Sequence, residues 1–368
     1  MKILHVITSL QTGGAETLVV NMLPRFVALG HEVGLVIFNG ERTALTERLA
    51  RECPECKLYA LGTGYYNPTY ILKLIKIMRQ YDVVHTHNSS PQLFAAIANC
   101  FAKKKLVTTE HSTNNRKREQ GGLLRLIDKW MYRRYDYTVC ISEIAEQTLR
   151  EYLTANEERN GSPNIVTINN GVDVEAIHNA EPISTDKNNR FVAVMVAGFR
   201  EAKDQDTLIK AMSLLPKDRY ELWLVGDGER KKSVECLVLS VGVTDNVRFF
   251  GLRTDVPRIL KAADVVVMSS HWEGLSLSNI EGMAAGKPFV ASDVDGLREV
   301  TQGYGILFPH EDAKALADII KRLDEDKGYY DEVADRCYQR AKEYDLSSTI
   351  AHYNDIYITI KDEHEFHE

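Results

Sequence analysis

The sequence lacks an apolar run long enough to cross a membrane, since none of its hydrophobic stretches approaches the ~20 residues that a bilayer requires. Its opening residues, 1–8, are strand-like and too short for the apolar core of a secretory signal. The six cysteines are scattered along 368 residues without a disulfide framework. These absences predict a cytoplasmic protein.

Two common nucleotide-binding loops are also absent. The turn that follows the first predicted strand reads Thr-Gly-Gly-Ala-Glu at 12–16, which is neither GxGxxG nor GxxxxGK[ST]. Gly13 and Gly14 nevertheless allow the backbone to approach a ligand, and a helix start there favours negative charge. Simple loop geometry is the alternative interpretation of this turn. Cys53 and Cys56 form a CxxC pair without a second pair, so we expect no redox or zinc role.

Composition and periodicity indicate an ordinary globular protein of two domains. The chain is 44% hydrophobic and 26% charged, and short apolar runs alternate with helical patterns in two successive series. Such alternation predicts parallel sheets covered by helices on both faces. We expect a Rossmann-like α/β domain over 1–172, a polar linker over 173–190, and a second such domain over 191–344. A helix over 345–368 is expected to cross back to the first domain, and the domains to face each other across a cleft.

The stretch 269–286 carries the most distinctive chemistry. It follows a predicted buried strand at 264–268, places Glu273 in a loop, and then enters a helix with Ser278 as its cap and Glu281 in its first turn. Ligands of open parallel sheets bind beyond the carboxyl ends of strands, and helix starts favour phosphates. The alternative is a capping box, in which Glu281 bonds back to the cap.

A basic pair occupies the equivalent place after the first strand of the second domain. Arg200 and Lys203 lie in a loop, where they can neutralise a diphosphate without a metal ion. An exposed pair on a loop that leads into a helix is the alternative.

Polar residues end two neighbouring strands of the first domain. His85, His87 and Asn88 end one strand and His111 follows the next. The HxH pair is a possible start of a metal site, but no third ligand is evident in the sequence. We therefore expect a polar wall of a cleft and no bound metal. The Asp-x-Asp sequences at 204–206 and 293–295 are interpreted as helix-cap and turn residues.

Taken together, these fragments resemble retaining glycosyltransferase family 4, which has the GT-B fold and an E-x7-E signature. The matching positions span nearly the whole chain: Gly13, Gly14, Ala15, Glu16, His87, Glu110, His111, Ser142, Glu143, Asn170–Asp173, Gly198, Arg200, Lys203, Gly226–Glu229, Glu273 and Glu281.

The resemblance implies a role for each matching position. Arg200 and Lys203 would hold the donor diphosphate, Glu281 the ribose, and Glu273 the sugar hydroxyls, while His111 would face the donor sugar. Backbone amides would cradle phosphate at Gly14 and at Leu275, Ser276, Leu277 and Ser278; the acceptor side would include Glu16, His87 and Asn88. Many members have Glu-Gly-Phe-Gly where this chain has Glu-Gly-Leu-Ser at 273–276, which leaves the donor sugar open.

Charge is distributed unevenly along the chain. Residues 1–172 carry 21 Lys and Arg against 16 Asp and Glu, whereas residues 173–368 carry 24 against 36. Ten basic side chains fall within 103–134, including Arg116, Lys117 and Arg118. The segment 122–134 places Leu123, Leu124, Ile127, Trp130 and Met131 at helical spacing, flanked by Arg125, Lys129, Arg133 and Arg134. A basic amphipathic helix can lie on an anionic membrane; its apolar face can equally pack into the core.

The sequence therefore predicts a metal-independent, retaining hexosyltransferase in cell-surface polysaccharide synthesis. Its donor would be a nucleoside-diphosphate sugar, for which we expect UDP in preference to GDP. Its acceptor would be a saccharide or a lipid-linked saccharide. No cofactor and no nucleic-acid partner are expected, and the enzyme would be cytoplasmic and peripheral to the inner membrane face. A nucleotide-sugar epimerase or phosphorylase on the same fold, and a non-catalytic nucleotide-sugar-binding protein, remain as alternatives.

Overall fold

The computed structural model describes residues 1–11, 13–111, 122–154, 164–185, 187, 189–273 and 277–365. Two compact units divide the chain: the first comprises Met1–Asn170 and Ser347–Glu368, and the second comprises Gly171–Leu346. The last helix therefore joins the first unit although it follows the second in sequence.

The first unit is built on one parallel sheet. Its strands are β1 (Lys2–Ile7), β2 (Glu32–Asn39), β3 (Lys57–Gly62), β4 (Val83–His87), β5 (Lys105–Glu110), β6 (Tyr137–Cys140) and β7 (Asn164–Thr167). They lie in the order β3-β2-β1-β4-β5-β6-β7. Because the order reverses beside β1, the carboxyl ends of β1 and β4 form the place where a ligand is expected in such a sheet.

Helices cover this sheet. They are α1 (Gly14–Ala28), α2 (Ala44–Glu52), α3 (Thr69–Met78), α4 (Ser89–Ala102), α5 (Leu123–Tyr132), α6 (Glu143–Thr154) and the last helix of the chain, Leu346–Glu365. Central strands buried on both faces must be apolar almost throughout, which explains the continuous hydrophobic runs seen in the sequence.

The second unit repeats the design with six strands. These are β8 (Phe191–Val196), β9 (Tyr220–Val225), β10 (Val247–Gly251), β11 (Val265–Met268), β12 (Phe289–Ser292) and β13 (Ile306–Phe308). Their order is β10-β9-β8-β11-β12-β13, with parallel pairing throughout. The reversal falls between β8 and β11. The predicted fold class of two doubly wound Rossmann-like units is confirmed.

The helices of the second unit complete the chain. They are α7 (Val174–His178), α8 (Gln205–Ser213), α9 (Lys231–Ser240), α10 (Val256–Ala262), α11 (Leu277–Ala284), α12 (Arg298–Thr301), α13 (Ala313–Glu325) and α14 (Lys327–Lys342); the last helix of the chain is hereafter α15. Single 3₁₀ turns occupy Glu201–Lys203 and Thr244–Asn246.

The segment expected to be a linker, 173–190, departs from that expectation at its start. Asp173 caps α7 by accepting a hydrogen bond from the backbone of Ala176 at 3.1 Å. Val174 and Ile177 are buried in a core cluster of the second unit. An amphipathic turn with a cap therefore anchors the beginning of this polar stretch to the unit that follows it.

Within the described residues, no helix has both the length and the hydropathy that a membrane span requires.

Candidate active site

The predicted site residues of the second unit lie at its strand-order reversal. β8 and β11 are neighbours, with Ala193 paired to Val265, so the loops that follow these strands lie side by side. The Oγ of Ser269 donates to the carbonyl of Asp204 at 2.7 Å, and the backbone of His271 donates to the carbonyl of Ala202 at 2.8 Å. These bonds join the loop that carries the basic pair to the loop that carries Glu273.

Two glycines hold the loop of Arg200 against the next strand end. A Cβ on Gly226 would lie 2.1 Å from the carbonyl oxygen of Ala197, and a Cβ on Gly228 would lie 2.5 Å from that of Phe199. No side chain fits in either place, so the turn after β9 must be glycine-rich. The Arg200 side chain is exposed, and among the described residues its guanidinium has no carboxylate partner. It is available to an anion.

Lys203 and Glu273, expected to contact phosphate and sugar respectively, bond to each other. The Nζ of Lys203 donates to Oε1 of Glu273, and the Oγ of Ser270 donates to the same oxygen at 2.7 Å. The Lys203 and Glu273 side chains are 20% and 8% exposed. A carboxylate this buried requires a cation or several donors. The charge of Lys203 is thus shared between Glu273 and any anion bound beside it.

The helix after this loop begins earlier than the sequence indicates. α11 starts at Leu277 and has no acidic residue in its first turn, so the half-buried Ser278 lies inside the helix. The predicted cap at Ser278 and capping box with Glu281 are therefore wrong, because a capping residue precedes the first helical residue. Leu275 and Ser276 lie outside the described residues.

α11 packs unusually close to the sheet. A Cβ on Gly282 would lie 2.7 Å from the ring of Phe289 and 2.9 Å from the side chain of Val266. The glycine therefore lets the helix approach β11 and β12 directly. Glu281, one residue earlier in this closely packed helix, is half-buried.

The Asp-x-Asp residues have structural partners. Asp204 accepts from the backbone of Thr207 at 3.1 Å and caps α8. Asp206 accepts two hydrogen bonds from Arg230, at 2.9 and 3.0 Å. Asp293 and Asp295 both pair with Arg298. These contacts match the predicted cap and turn roles.

A small histidine cluster lies next to Asp204. The Nδ1 of His271 and the Nε2 of His310 are 2.8 Å apart, and Asp204 lies within 4.8 Å of a nitrogen of each ring. The Oδ2 of Asp204 is buried without a hydrogen-bond partner among the described residues. Sequence reasoning did not find this cluster because His310 comes from the loop after β13, far away in sequence.

In the first unit, a carboxylate of the protein already occupies the start of α1. A Cβ on Gly13 would lie 2.3 Å from Oε2 of Glu16, so the glycine makes room for this side chain to fold back over the helix start next to Gly14. Burial raises the pKa of Glu16, while hydrogen bonds from its own backbone amide and from the side chain of Asn88 oppose that rise. Any phosphate at this helix start would compete with Glu16.

Histidines form a buried group between β1, β4 and the end of β5. His5 lies opposite His85 in the paired strands, and His87 points to the same side two residues on. The Nδ1 of His5 is 3.0 Å from Nε2 of His87, whose Nδ1 is 3.0 Å from Nε2 of His111. Burial lowers the pKa of His5 to about 3 and that of His111 to about 4, and it holds those of His85 and His87 well below their ordinary value.

The structure therefore supplies the third histidine that the sequence did not reveal. Nitrogens of His5, His85 and His87 lie within 4.8 Å of one another, close enough to share an ion geometrically. However, both nitrogens of His85 are already hydrogen-bonded: Nδ1 to the hydroxyl of Tyr357 at 2.5 Å and Nε2 to that of Thr109 at 2.8 Å. The polar-wall interpretation has to include His5 and a tyrosine of α15.

Comparison with known proteins identifies the class of the chain. The family profile "Glycosyl transferases group 1" matches residues 176–344, and "Glycosyltransferase Family 4" matches residues 12–176. The chain is a glycosyltransferase.

Individual relatives carry similar names. The putative glycosyltransferase EpsD of Bacillus subtilis is 29% identical over 271 residues, covering 68% of this chain and 70% of that protein. A UDP-Gal:alpha-D-GlcNAc-diphosphoundecaprenol alpha-1,3-galactosyltransferase of Escherichia coli is 26% identical over 291 residues, covering 70% of each chain.

Solved structures support the GT-B fold. HepE of Anabaena in complex with UDP-glucose superimposes with a TM-score of 0.80 at 20% sequence identity, covering 98% of the glycosyltransferase and 100% of HepE. A sucrose-phosphate synthase of Thermosynechococcus elongatus superimposes with a TM-score of 0.74 at 19% identity, covering 98% and 99%. The comparisons favour a glycosyltransferase over an epimerase, a phosphorylase or a non-catalytic binding protein.

Several residues that shape the glycosyltransferase site escaped the sequence analysis. Ser269 connects the two loops of the second unit and Ser270 donates to Glu273, although their position directly after a buried strand was a usable signal. His5 lies within β1, where a polar residue in an otherwise apolar run is the signal that could have found it. Gly282 gave none, since a glycine inside a short helix has many explanations.

The basic helix α5 of the glycosyltransferase exposes its apolar side. Leu123, Leu124 and Leu126 are 71%, 53% and 66% exposed, and Ile127 and Trp130 are 37% and 38% exposed. The alternative that this face packs into the core is therefore wrong for Leu123 and Leu124 and holds for the buried Met131, while Ile127 and Trp130 are covered in part.

The buried side of α5 differs from the one predicted. Lys129 is buried and donates to the carbonyl of Leu153 at 3.2 Å, so it does not flank the apolar side. Arg125 lies over the ring of Tyr152. Arg133 and Arg134 are exposed. The basic residues Arg116, Lys117 and Arg118 lie outside the described residues.

The CxxC sequence forms a tight turn, in which the backbone of Cys56 donates to the carbonyl of Cys53 at 3.1 Å. Cys53 and Cys56 are free thiols, and burial raises the pKa of both, that of Cys56 to about 12. Thiols that stay protonated are poor nucleophiles and poor metal ligands.

Proposed function

We propose that this glycosyltransferase transfers a hexose from a UDP-sugar to a saccharide or lipid-linked saccharide in cell-surface polysaccharide synthesis. The E. coli relative is named for transfer from UDP-Gal to a diphosphoundecaprenol-linked sugar, and HepE was crystallised with UDP-glucose. These names support a UDP-sugar donor and a lipid-linked acceptor.

One observation carries the proposal. Arg200 is exposed, has no carboxylate partner among the described residues, and lies in the same loop as Lys203, which pairs with the buried Glu273. Arg200 binds the donor diphosphate, and Lys203 adds charge that it shares with Glu273. The start of α11, at Leu277 and Ser278, offers amides and a positive dipole end to a phosphate. Glu281 accepts hydrogen bonds from the ribose, and Glu273 accepts them from the sugar.

The chemistry is dissociation of a diphosphate from the anomeric carbon, without a metal ion. Negative charge develops on the leaving phosphate oxygens, where a prearranged guanidinium and helix start stabilise it most. We assign Glu273 to positioning the sugar, because its Oε1 already accepts hydrogen bonds from Lys203 and Ser270. A leaving phosphate oxygen takes the proton of the acceptor hydroxyl on the same face, which retains the anomeric configuration.

The first unit contributes His111 as a hydrogen-bonding partner of the transferred sugar, and Glu16, His87 and Asn88 shape the acceptor side. Glu16, with its raised pKa, serves as a hydrogen-bonding group for acceptor hydroxyls.

We further propose that α5 places the enzyme on the inner membrane surface. Its exposed leucines and Trp130 match a helix that lies in a lipid interface, and Arg133 and Arg134 suit an anionic leaflet. An acceptor anchored in the membrane requires the enzyme to work at this surface.

A donor panel tests the reaction. Purified enzyme is offered UDP- and GDP-sugars with a lipid-linked saccharide extract, and released nucleotide and product anomer are measured. We expect UDP release that persists in EDTA, an α-linked product from an α-linked donor, and a fall of ~10²-fold or more in Arg200→Ala. Arg219→Ala is the matched control, because Arg219 precedes β9 at the opposite edge of the sheet and pairs with Asp324. Activity abolished by EDTA and restored by a divalent metal, or full activity in Arg200→Ala, would contradict the proposal.

A further inference from the structure

His5, His87 and His111 form a hydrogen-bonded row that runs from the buried centre of the first unit towards its surface. His5 and His87 are fully buried, whereas His111 is partly exposed. Both links of the row are 3.0 Å long and join ring nitrogens directly. His85 is not part of this row, since its nitrogens bond to Tyr357 and Thr109.

A row of neutral imidazoles has only two ways to place its protons. Each neutral ring carries one N–H and one bare nitrogen, and each link needs one of each. If His87 carries its proton on Nδ1, it donates to His111, which must then be protonated on Nδ1. If His87 carries its proton on Nε2, it donates to His5, and the Nδ1 of His111 is bare. The depressed pKa values of the three rings keep them neutral near pH 7.

The buried end of the row selects between these arrangements. The Nε2 of His5 is buried and has no hydrogen-bond partner among the described residues. The rings of Phe26 and Tyr357 lie near His5, with centroids 5.7 and 6.5 Å away. An orphaned N–H is rarer in protein interiors than an undersatisfied acceptor. The favoured arrangement therefore leaves Nε2 of His5 bare and points every proton outward.

We infer that His87 is a positioning residue that fixes His111 as the Nδ1–H tautomer, so that His111 presents an N–H donor to an oxygen of its ligand. The Nε2 of His111 is committed to His87, which leaves Nδ1 for the ligand. A donor of this kind fits a sugar hydroxyl or phosphoryl oxygen, and it excludes His111 from acting as a general base there. The assignment of that ligand to a sugar donor rests on the proposed function; the tautomer itself does not.

Nitrogen-15 spectra of histidine-labelled, full-length enzyme at pH 7 test the tautomer without substrate. We expect His111 to be protonated on Nδ1 in the wild type and to lose this single-tautomer signature in His87→Leu. His5→Phe is the discriminating control: it removes an equally buried ring, but the new inner end, Nε2 of His87, is again a buried nitrogen without a partner. His111 should therefore keep its tautomer in His5→Phe.

The outcomes separate clearly. Protonation of His111 on Nε2 in the wild type overturns the inference, as does an equal change in His5→Phe and His87→Leu, which would indicate general repacking. A stoichiometric metal ion bound by the purified enzyme through His87 overturns it as well. If His87→Leu does not fold, the wild-type spectrum alone decides. Absence of nucleotide release in the donor panel with the expected tautomer would reject the proposed function and leave this inference standing.

Discussion

At the scale of single residues, Lys203 has two proposed roles that variants can separate. Lys203 neutralises a buried carboxylate, and it is also assigned to the donor diphosphate. Replacing it with methionine keeps most of the volume but leaves Glu273 without its cation. We expect Lys203→Met to lower the free energy of unfolding by about 1–3 kcal/mol, because an unpaired buried charge is costly.

The double variant Lys203→Met with Glu273→Gln distinguishes neutralisation of Glu273 from stabilisation of the diphosphate. Removing both charges should restore most of the lost stability in urea unfolding, since neither group is then left unpaired. Turnover of the double variant should be at least ~10²-fold below that of Glu273→Gln alone if Lys203 also stabilises the leaving diphosphate. Lys187→Met is a matched control, because Lys187 pairs with Asp264 at 3.0 Å next to β8 and β11 but away from their carboxyl ends. Recovery of turnover in the double variant would show that Lys203 acts only on Glu273.

At the scale of elements, the sequence predicted strands better than helix starts. Buried parallel strands are nearly uniform apolar runs, so β8 and β11 and the loops after them could be placed from the pattern alone. The start of α11 could not, because the helix already includes Leu277 and Ser278, whereas the sequence offered Ser278 as the cap before its first residue. The partnership of Lys203 with Glu273 was equally invisible, since it joins residues 70 positions apart.

The exposed side of α5 gives a prediction at the same scale. Wild-type enzyme should sediment with anionic vesicles, and less so as salt rises. Leu123→Ser with Leu126→Ser should weaken binding by ~10-fold or more, because burying a leucine is worth about 1.5–3 kcal/mol. Both side chains are exposed, so the fold should survive the change.

Two leucines of the second unit provide the matched control. Leu239 and Leu252 are 65% and 63% exposed and lie outside α5, so their replacement by serine should leave vesicle binding unaltered. Arg133→Ser with Arg134→Ser should reduce the dependence on anionic lipid. Absence of sedimentation at low salt, or equal losses in both leucine pairs, would remove α5 as a membrane surface.

At the scale of the whole molecule, the last helix completes the buried histidine group of the first unit. The sequence indicated that the last helix crosses back to the first domain, but it could not show what the helix meets there. In the structure α15 brings Tyr353 and Tyr357 onto the histidines of the first sheet: Tyr357 bonds to His85, and Tyr353 bonds to Thr109 at 2.9 Å. Histidines of β1 and β4, Thr109 of β5 and two tyrosines of α15 thus share one buried polar group.

This group makes the first unit sensitive to acid, with a definite sign. Unfolded histidines titrate near ~6.5, whereas burial lowers the folded-state pKa of His5 to about 3 and of His111 to about 4, and those of His85 and His87 also lie well below the ordinary value. The unfolded state therefore binds more protons below pH ~6.5. Stability is full above that pH and falls as pH drops towards ~4, by about 1.4 kcal/mol per pH unit for each such imidazole.

Urea unfolding between pH 7 and 5 measures this slope in each unit, because the three tryptophans divide between them. A variant that keeps only Trp130 reports on the first unit, and one that keeps Trp223 and Trp272 reports on the second. We expect the first unit to lose stability more steeply, and His5→Phe to reduce its slope by about one imidazole's share, ~1.4 kcal/mol per pH unit. Replacing the exposed His352, which lies outside the buried histidine group, with glutamine should leave the slope unchanged. Equal slopes in the two units, or an equal effect of the His5 and His352 changes, would show that the buried histidines are not neutral.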